Sequence, residues 1–191
     1  MRTLIIQSHP DKKSLCHRLA DEYEKGAIEK GGEVRRINLT DLSFNPNLRN
    51  GYRLVQNLEQ DLIEAQNNIK WANHLVIIYP VWWSSVPAIL KGFIDRVFLP
   101  GFAFKYRENS SNWDKLLSGR SARLIITSDA PVWYLYMAYF HPAVNMMKKA
   151  VLEFCGVSPV TVSSFGQIRG SSEKRIEKII YEVYRMGLND N

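Results

Sequence analysis

Short unbroken apolar runs alternate with longer stretches in which apolar residues return every third or fourth position. Thr3-Leu4-Ile5-Ile6-Gln7-Ser8 is a β-branched run that breaks into polar residues, the pattern of a buried strand. From Ser14 to Lys30, Leu15, Leu19, Tyr23 and Ala27 share one helical face, with Ser14 placed as cap and Gly31-Gly32 as stop. Glu33 to Asn38 alternates as an edge strand does, and Thr40 to Asn50 reads as a polar connection. Arg53 to Ala72 is predicted as a second helix. His74-Leu75-Val76-Ile77-Ile78-Tyr79-Pro80 is the strongest strand, apolar enough for the centre of a parallel sheet. Pro87 to Phe98 is predicted helical with proline in its first turn, and Pro100 to Gly119 irregular. Ala122 to Thr127 gives a fourth strand, followed by an aromatic loop, a helix over Ala143 to Cys155, a strand over Val157 to Ser164 and a helix over Ser171 to Met186.

Five strands alternating with helices imply a parallel sheet covered on both faces, and right-handed crossovers leave few ways to connect it. The expected architecture is one α/β domain over residues 1–191, flavodoxin-like, with strand order 2-1-3-4-5 and helices on both faces. In that order a ligand crevice opens beyond the carboxyl ends of the strands, where the winding reverses between the first and third. This nominates three loops: Ser8 to Ser14, Pro80 to Val86, and Thr127 to His141.

Composition narrows the classes. An apolar fraction of 46% and a charged fraction of 23% are those of an ordinary globular chain. No apolar run approaches the roughly 18–20 residues of a membrane span. The N-terminus carries no signal-peptide pattern, so a cytoplasmic location is expected. Cys16 and Cys155 fit no CxxC spacing and read as reduced thiols. The net charge of +6 is spread without a basic block, which gives no reason to expect nucleic acid. The four histidines form neither HxxxH nor HExxH, so no metal site is expected; His74 reads as structural and His17 as exposed on the first helix.

In the first loop, His9, Lys13 and Ser14 lead into a helix start, whose free N–H groups suit a phosphate. There is no Walker motif and no GxGxxG. In the second, the adjacent Trp82 and Trp83 at a strand exit could wall a planar ligand, or could form a core or interface pair. The third carries Thr127, Ser128, Asp129, Trp133, Tyr134, Tyr136, Tyr139 and His141, residues able to stabilise charge near a redox ring or to pack as a contact surface. No GxSxG elbow is present.

The segment from Tyr79 to Phe98 follows the pattern P-x-x-W-x-x-x-P-A-x-L-K-G-x-x-D-R-V. With His9-Pro10, Ser14, Leu19-Ala20, Gly101-Phe102-Ala103-Phe104 and Phe154-Cys155-Gly156, it resembles the flavodoxin-like NAD(P)H:quinone oxidoreductase family along nearly the whole chain. The resemblance implies a non-covalent flavin, FAD or FMN. His9, Ser14, Leu15 and Cys16 would surround its phosphates, Pro80, Val81, Trp82, Trp83 and Ser84 its ring, and Thr127 and Ser128 the other edge. It also implies a homodimer with the flavin at the interface, NAD(P)H as hydride donor, and a quinone-like acceptor in a ping-pong cycle. Tyr134 or Tyr136 with His141 would balance charge on the reduced ring. A regulatory flavoprotein that docks on a membrane transporter is the alternative within the same family, and a one-electron carrier is a weaker one. Two departures stand out: Asp129-Ala130 replaces the family's Gly-Gly, adding a negative charge near the ring, and Leu15-Cys16 replaces Phe-Asn.

Overall fold

The computed structural model describes residues 1–190. In chain order it contains β1 (Arg2–Gln7), α1 (Leu15–Glu29), β2 (Glu33–Asn38), α2 (Gln60–Trp71), β3 (His74–Pro80), α3 (Ala88–Val97), β4 (Phe104–Tyr106), β5 (Trp113–Lys115), β6 (Ser121–Thr127), α4 (Val132–Tyr139), α5 (Pro142–Asn145), β7 (Val160–Phe165) and α6 (Glu173–Asn189). A π-helical stretch, Met146–Glu153, continues α5. The main sheet is five-stranded in the order β2-β1-β3-β6-β7, parallel throughout, which is the expected 2-1-3-4-5 winding.

Side-chain alternation divides the core. Leu75, Ile77 and Tyr79 of β3 face one cluster with Leu62, Ile69, Leu90 and Phe93 from α2 and α3. Val76 and Ile78 face the other, with Leu19, Tyr23, Ile179 and Val183 from α1 and α6. Every residue of β3 is buried, as its unbroken apolar run requires. The register pairs Gln7 with Ile78 and Pro80 with Thr127, so β1, β3 and β6 end side by side.

Helices α1 and α6 cross backbone to backbone. A Cβ on Gly26 would lie 2.2 Å from the Tyr184 carbonyl oxygen, and one on Gly187 equally close, at 2.2 Å, to that of Tyr23. Glycine alone lets the two backbones meet.

The K-G-x-x-D-R part of the α3 pattern has a packing explanation. A Cβ at Gly92 would lie 2.4 Å from the Pro46 Cβ, so the chain between β2 and α2 presses on α3 there. One turn later the fully buried Arg96 donates to the Asn45 carbonyl at 2.5 Å, the Asn57 carbonyl at 2.9 Å and the Glu59 carboxylate at 2.8 Å. This anchor explains why α2 begins at Gln60 rather than Arg53: Asn57 and Glu59 are drawn onto the guanidinium, holding the preceding residues out of the helix.

Other boundaries also differ from expectation. Residues 132–139, read as loop, form α4, and the stretch after Pro100 contains the antiparallel β4–β5 pair. The last strand starts at Val160 because the Val157 N–H still closes onto the Leu152 carbonyl behind the preceding helix. Helix α6 runs past Met186 to Asn189, and Pro87 caps α3 from outside.

At the end of the sheet away from the loops, Asp190 fixes the end of α6. Its carboxylate accepts from both Arg123 Nε and Arg123 Nη2 and, at 2.9 Å, from the Tyr23 hydroxyl. Burial alone would raise this carboxyl, but the hydrogen bonds and charge of Arg123, with His74 Nε2 3.6 Å away, outweigh it and hold it well below the usual carboxylate range.

Two stability measurements test these anchors. Arg96→Ala leaves the Glu59 carboxylate and two carbonyls without their donor and is expected to lower unfolding free energy by about 3–5 kcal/mol in urea titrations; a loss below about 1 kcal/mol would remove the anchor. A carboxyl depressed in the folded state adds stability above its unfolded value and loses it as pH falls through the folded one. Asp190→Asn is therefore expected to be less stable than the parent at pH 7 by about 1–2 kcal/mol, a figure reduced for partial solvent screening, with the gap closing toward pH 2. A gap of constant size from pH 7 to pH 2 would contradict the clamp.

Candidate functional site

The first loop is tied by its own hydrogen bonds. The Asp11 N–H donates to His9 Nδ1 at 3.0 Å, the Lys13 N–H to the Asp11 carboxylate at 2.8 Å, and the Ser14 N–H to the Asp11 carbonyl at 3.1 Å. Ser14 then caps α1, its hydroxyl accepting from the His17 N–H at 3.4 Å. Leu15 and Cys16 are the first two residues of the helix, so their N–H groups have no acceptor within it and carry the positive end of its dipole. Because Nδ1 of His9 accepts a bond, the neutral ring carries its proton on Nε2. Burial lowers the His9 pKa, outweighing the nearby Asp11 charge, and keeps the ring neutral at pH 7.

The second loop is a tight reversal. Trp82 and Ser85 exchange backbone hydrogen bonds at 3.0 and 2.9 Å around Trp83 and Ser84, whose φ values are 50° and 57°. Two left-handed residues mark a type I′ turn, which favours Asn-Gly. Holding tryptophan and serine there costs ~1–2 kcal/mol each. The turn separates the two indoles. Trp82 stays against His9, with ring centroids 5.5 Å apart, while the Trp83 side chain is thrown fully into solvent.

The third loop leaves β6 beside the other two. The Val81 N–H donates to the Thr127 carbonyl at 2.7 Å, and the Thr127 hydroxyl meets Cys16 Sγ at 3.3 Å. Ser128 turns its hydroxyl onto the Ala130 carbonyl at 2.8 Å. Neither Asp129 nor Ala130 has a positive φ, so this turn needs no glycine.

Together the loops enclose a cleft of about 290 Å³, at the small end of the ~300–1,000 Å³ typical of ligand pockets. It is lined by His9, Asp11, Ser14, Leu15, Cys16, Pro80, Val81, Trp82, Thr127, Ser128, Asp129 and Ile168. The sequence-derived residues His9, Ser14, Leu15, Cys16, Pro80, Val81, Trp82, Thr127 and Ser128 thus converge on one space. Trp83 and Ser84 do not line it. Ile168 comes from a fourth loop, after β7, that the strand-end argument did not nominate. Its N–H reaches the Ser128 carbonyl at 3.1 Å, and only the pairing of β6 with β7 could have pointed to it.

Tyr134, Tyr136 and His141 lie outside this cleft. Tyr134 sits edge-on to Tyr139 at 5.7 Å, and Tyr136 to His141 at 4.7 Å, so the chain brings Tyr136 rather than Tyr134 to the histidine. His141 is buried behind α4, and burial lowers its pKa against a backbone hydrogen bond that raises it. His17, expected on the surface, is buried with its Nδ1 3.3 Å from Arg36 Nη2. Burial pushes the Cys16 thiol up to about 11, despite its hydrogen bond to Thr127, and the Cys155 thiol up to about 12. Neither supplies a thiolate at neutral pH.

The cleft therefore offers an anion seat at one end, made of first-turn N–H groups, Ser14 and the His9 ring. At the other end stands a flat edge from Pro80 to Trp82. Among the described residues no helix is long and apolar enough to cross a membrane.

Known proteins share this fold. The family model described as flavodoxin-like fold matches residues 1–185. An uncharacterized NAD(P)H oxidoreductase of Haemophilus influenzae is 29% identical over 187 residues, covering 94% of this chain and 91% of that protein. The ribosyldihydronicotinamide dehydrogenase [quinone] of Mus musculus is 32% identical, covering 91% of this chain and 85% of that one. Among solved structures, the NAD(P)H:quinone oxidoreductase from Methanothermobacter marburgensis superimposes with a TM-score of 0.83 at 25% identity, covering 99% of this chain and 96% of that chain. The chain belongs to the flavodoxin-like fold family, and these relatives, matched over most of their length, carry the names of NAD(P)H and quinone oxidoreductases.

Proposed function

We propose that the cleft binds a flavin, FAD or FMN, and that the protein passes electrons from NAD(P)H to a quinone-like acceptor. The observation that carries this reading is the joining of two chemistries in one cleft: unpaired backbone donors at the start of α1, and the Pro80–Trp82 edge with its indole. The names of the curated relatives support the reaction class. When bound, the flavin supplies a two-electron store that accepts hydride from a nicotinamide and releases it to the acceptor.

The residues have distinct parts in this reading. The N–H groups of Leu15 and Cys16, with Ser14 and His9 Nε2, hold the phosphate. Pro80, Val81 and Trp82 flank the ring, and Thr127 and Ser128 close its other edge. Trp83 and Ser84 contribute through the turn they form, their backbone N–H groups lying outside the Trp82–Ser85 exchange.

The homodimer belongs to the same proposal. Helix α4 is apolar all round, and Trp133, Tyr136, Met137 and Phe140 are exposed, as is Trp83. An apolar face of this kind marks a contact surface.

Protein purified after supplementation with riboflavin, FMN and FAD is expected to be yellow. NADH or NADPH should bleach it within seconds under anaerobic conditions, and heat release should identify the flavin. Colourless protein that takes up neither FMN nor FAD would end this reading. Sedimentation at micromolar concentration is expected to give a dimer, with Met137→Glu shifting it toward monomer; a wild-type monomer would remove the interface.

A further inference from the structure

The side chains lining the cleft include two carboxylates, Asp11 and Asp129, and no lysine or arginine, although the chain carries a net charge of +6. The one lining base, His9, is neutral at pH 7 by the geometry and burial already described. Of the two lysines in the first loop, Lys12 is paired with Asp41 at 2.9 Å, and neither it nor Lys13 lines the cleft. Asp11 accepts the Lys13 N–H at 2.8 Å at the outer rim of the first loop. Asp129 stands at the exit of β6, two residues from Thr127, whose carbonyl takes the Val81 N–H. Its carboxylate is fixed there by the Arg169 backbone N–H at 3.0 Å, a bond that orients it without neutralising it.

We propose that Asp129 tunes the redox potential of the bound cofactor. Its fixed negative charge opposes the charge that a flavin gains on reduction, and so holds the site at low potential as a strong reductant. The inference rests on the flavin reading above and adds to it a residue that acts through its field rather than through contact with the reacting atoms. A purely structural role, pinning the loop that carries Arg169 and Ile168, is the rival account.

Asp129→Asn separates the two, since the amide oxygen can still accept the Arg169 N–H while the charge is gone. With flavin-loaded protein, the midpoint potential is measured by equilibration with reference dyes, and the affinity for oxidised flavin by titration. Asp129→Asn is expected to raise the potential, strengthening binding of reduced relative to oxidised flavin by about tenfold, the scale of one charge acting across a partly solvated cleft. Asp129→Glu should stay within about threefold of wild type. An unchanged potential in a flavin-loaded Asp129→Asn protein overturns the proposal. If that variant does not hold flavin, Asp129→Gly removes the same charge and the same shift is required of it. Wild-type protein that takes up no flavin is a different outcome, visible before any variant is made, and it brings down the cofactor reading itself.

Discussion

Strands β1 and β3 lie side by side, yet the helices that follow them leave in opposite directions. Helix α1 packs on the face of Ile5, Val76 and Ile78, while α3 packs on the face of Leu4, Ile77 and Tyr79. Because the chain must diverge at that point, the strand ends cannot be covered by their own connections, and a crevice is left open. The proposed cofactor site occupies that opening. With Gln7 opposite Ile78 and Thr127 opposite Pro80, the three strands end within two residues of one another, which makes the crevice a three-sided cleft rather than a groove along one loop.

Within the cleft the division of labour follows from local backbone chemistry. Ser14 ends the loop and starts the helix in one step, so the amides of Leu15 and Cys16 emerge at the cleft wall. The reversal at Trp83 and Ser84 does the opposite: it spends conformational strain to bring the chain back on itself beside Trp82. Such strain persists only where neighbours enforce it, here the paired hydrogen bonds of Trp82 with Ser85 and the tie from Val81 to Thr127.

Much of this was legible from residue order alone, for identifiable reasons. The unbroken apolar run of β3 and the alternation of β2 reported burial on two faces and at an edge, which fixed the winding and hence the loops at the cleft. What escaped depends on contacts between distant segments. The displaced start of α2 is a consequence of Arg96, a single buried charge whose partners lie 37 to 51 positions away. The helical state of residues 132–139 was hidden because an all-apolar helix shows no periodicity, and proline with clustered aromatics reads as loop. The two tryptophans looked alike in sequence, but the left-handed turn sends them to different fates. The burial of His17 depends on Arg36, which lies across from it on β2. Ile168 joined the cleft through the pairing of β7 with β6, a neighbour relation that no local pattern carries.

The crossing of α1 with α6 at Gly26 and Gly187 ties the far end of the chain to the chemistry at its beginning. Most helix contacts are cushioned by side chains that can repack when one partner shifts. Here main chain rests on main chain near the end of α1 away from the cleft, so a tilt of the final helix cannot be absorbed by side-chain repacking at that point. The C-terminal helix thus holds α1 at a fixed spacing at these two points, and sequence drift along α6 is free to vary its outer face but not the places where the backbones touch.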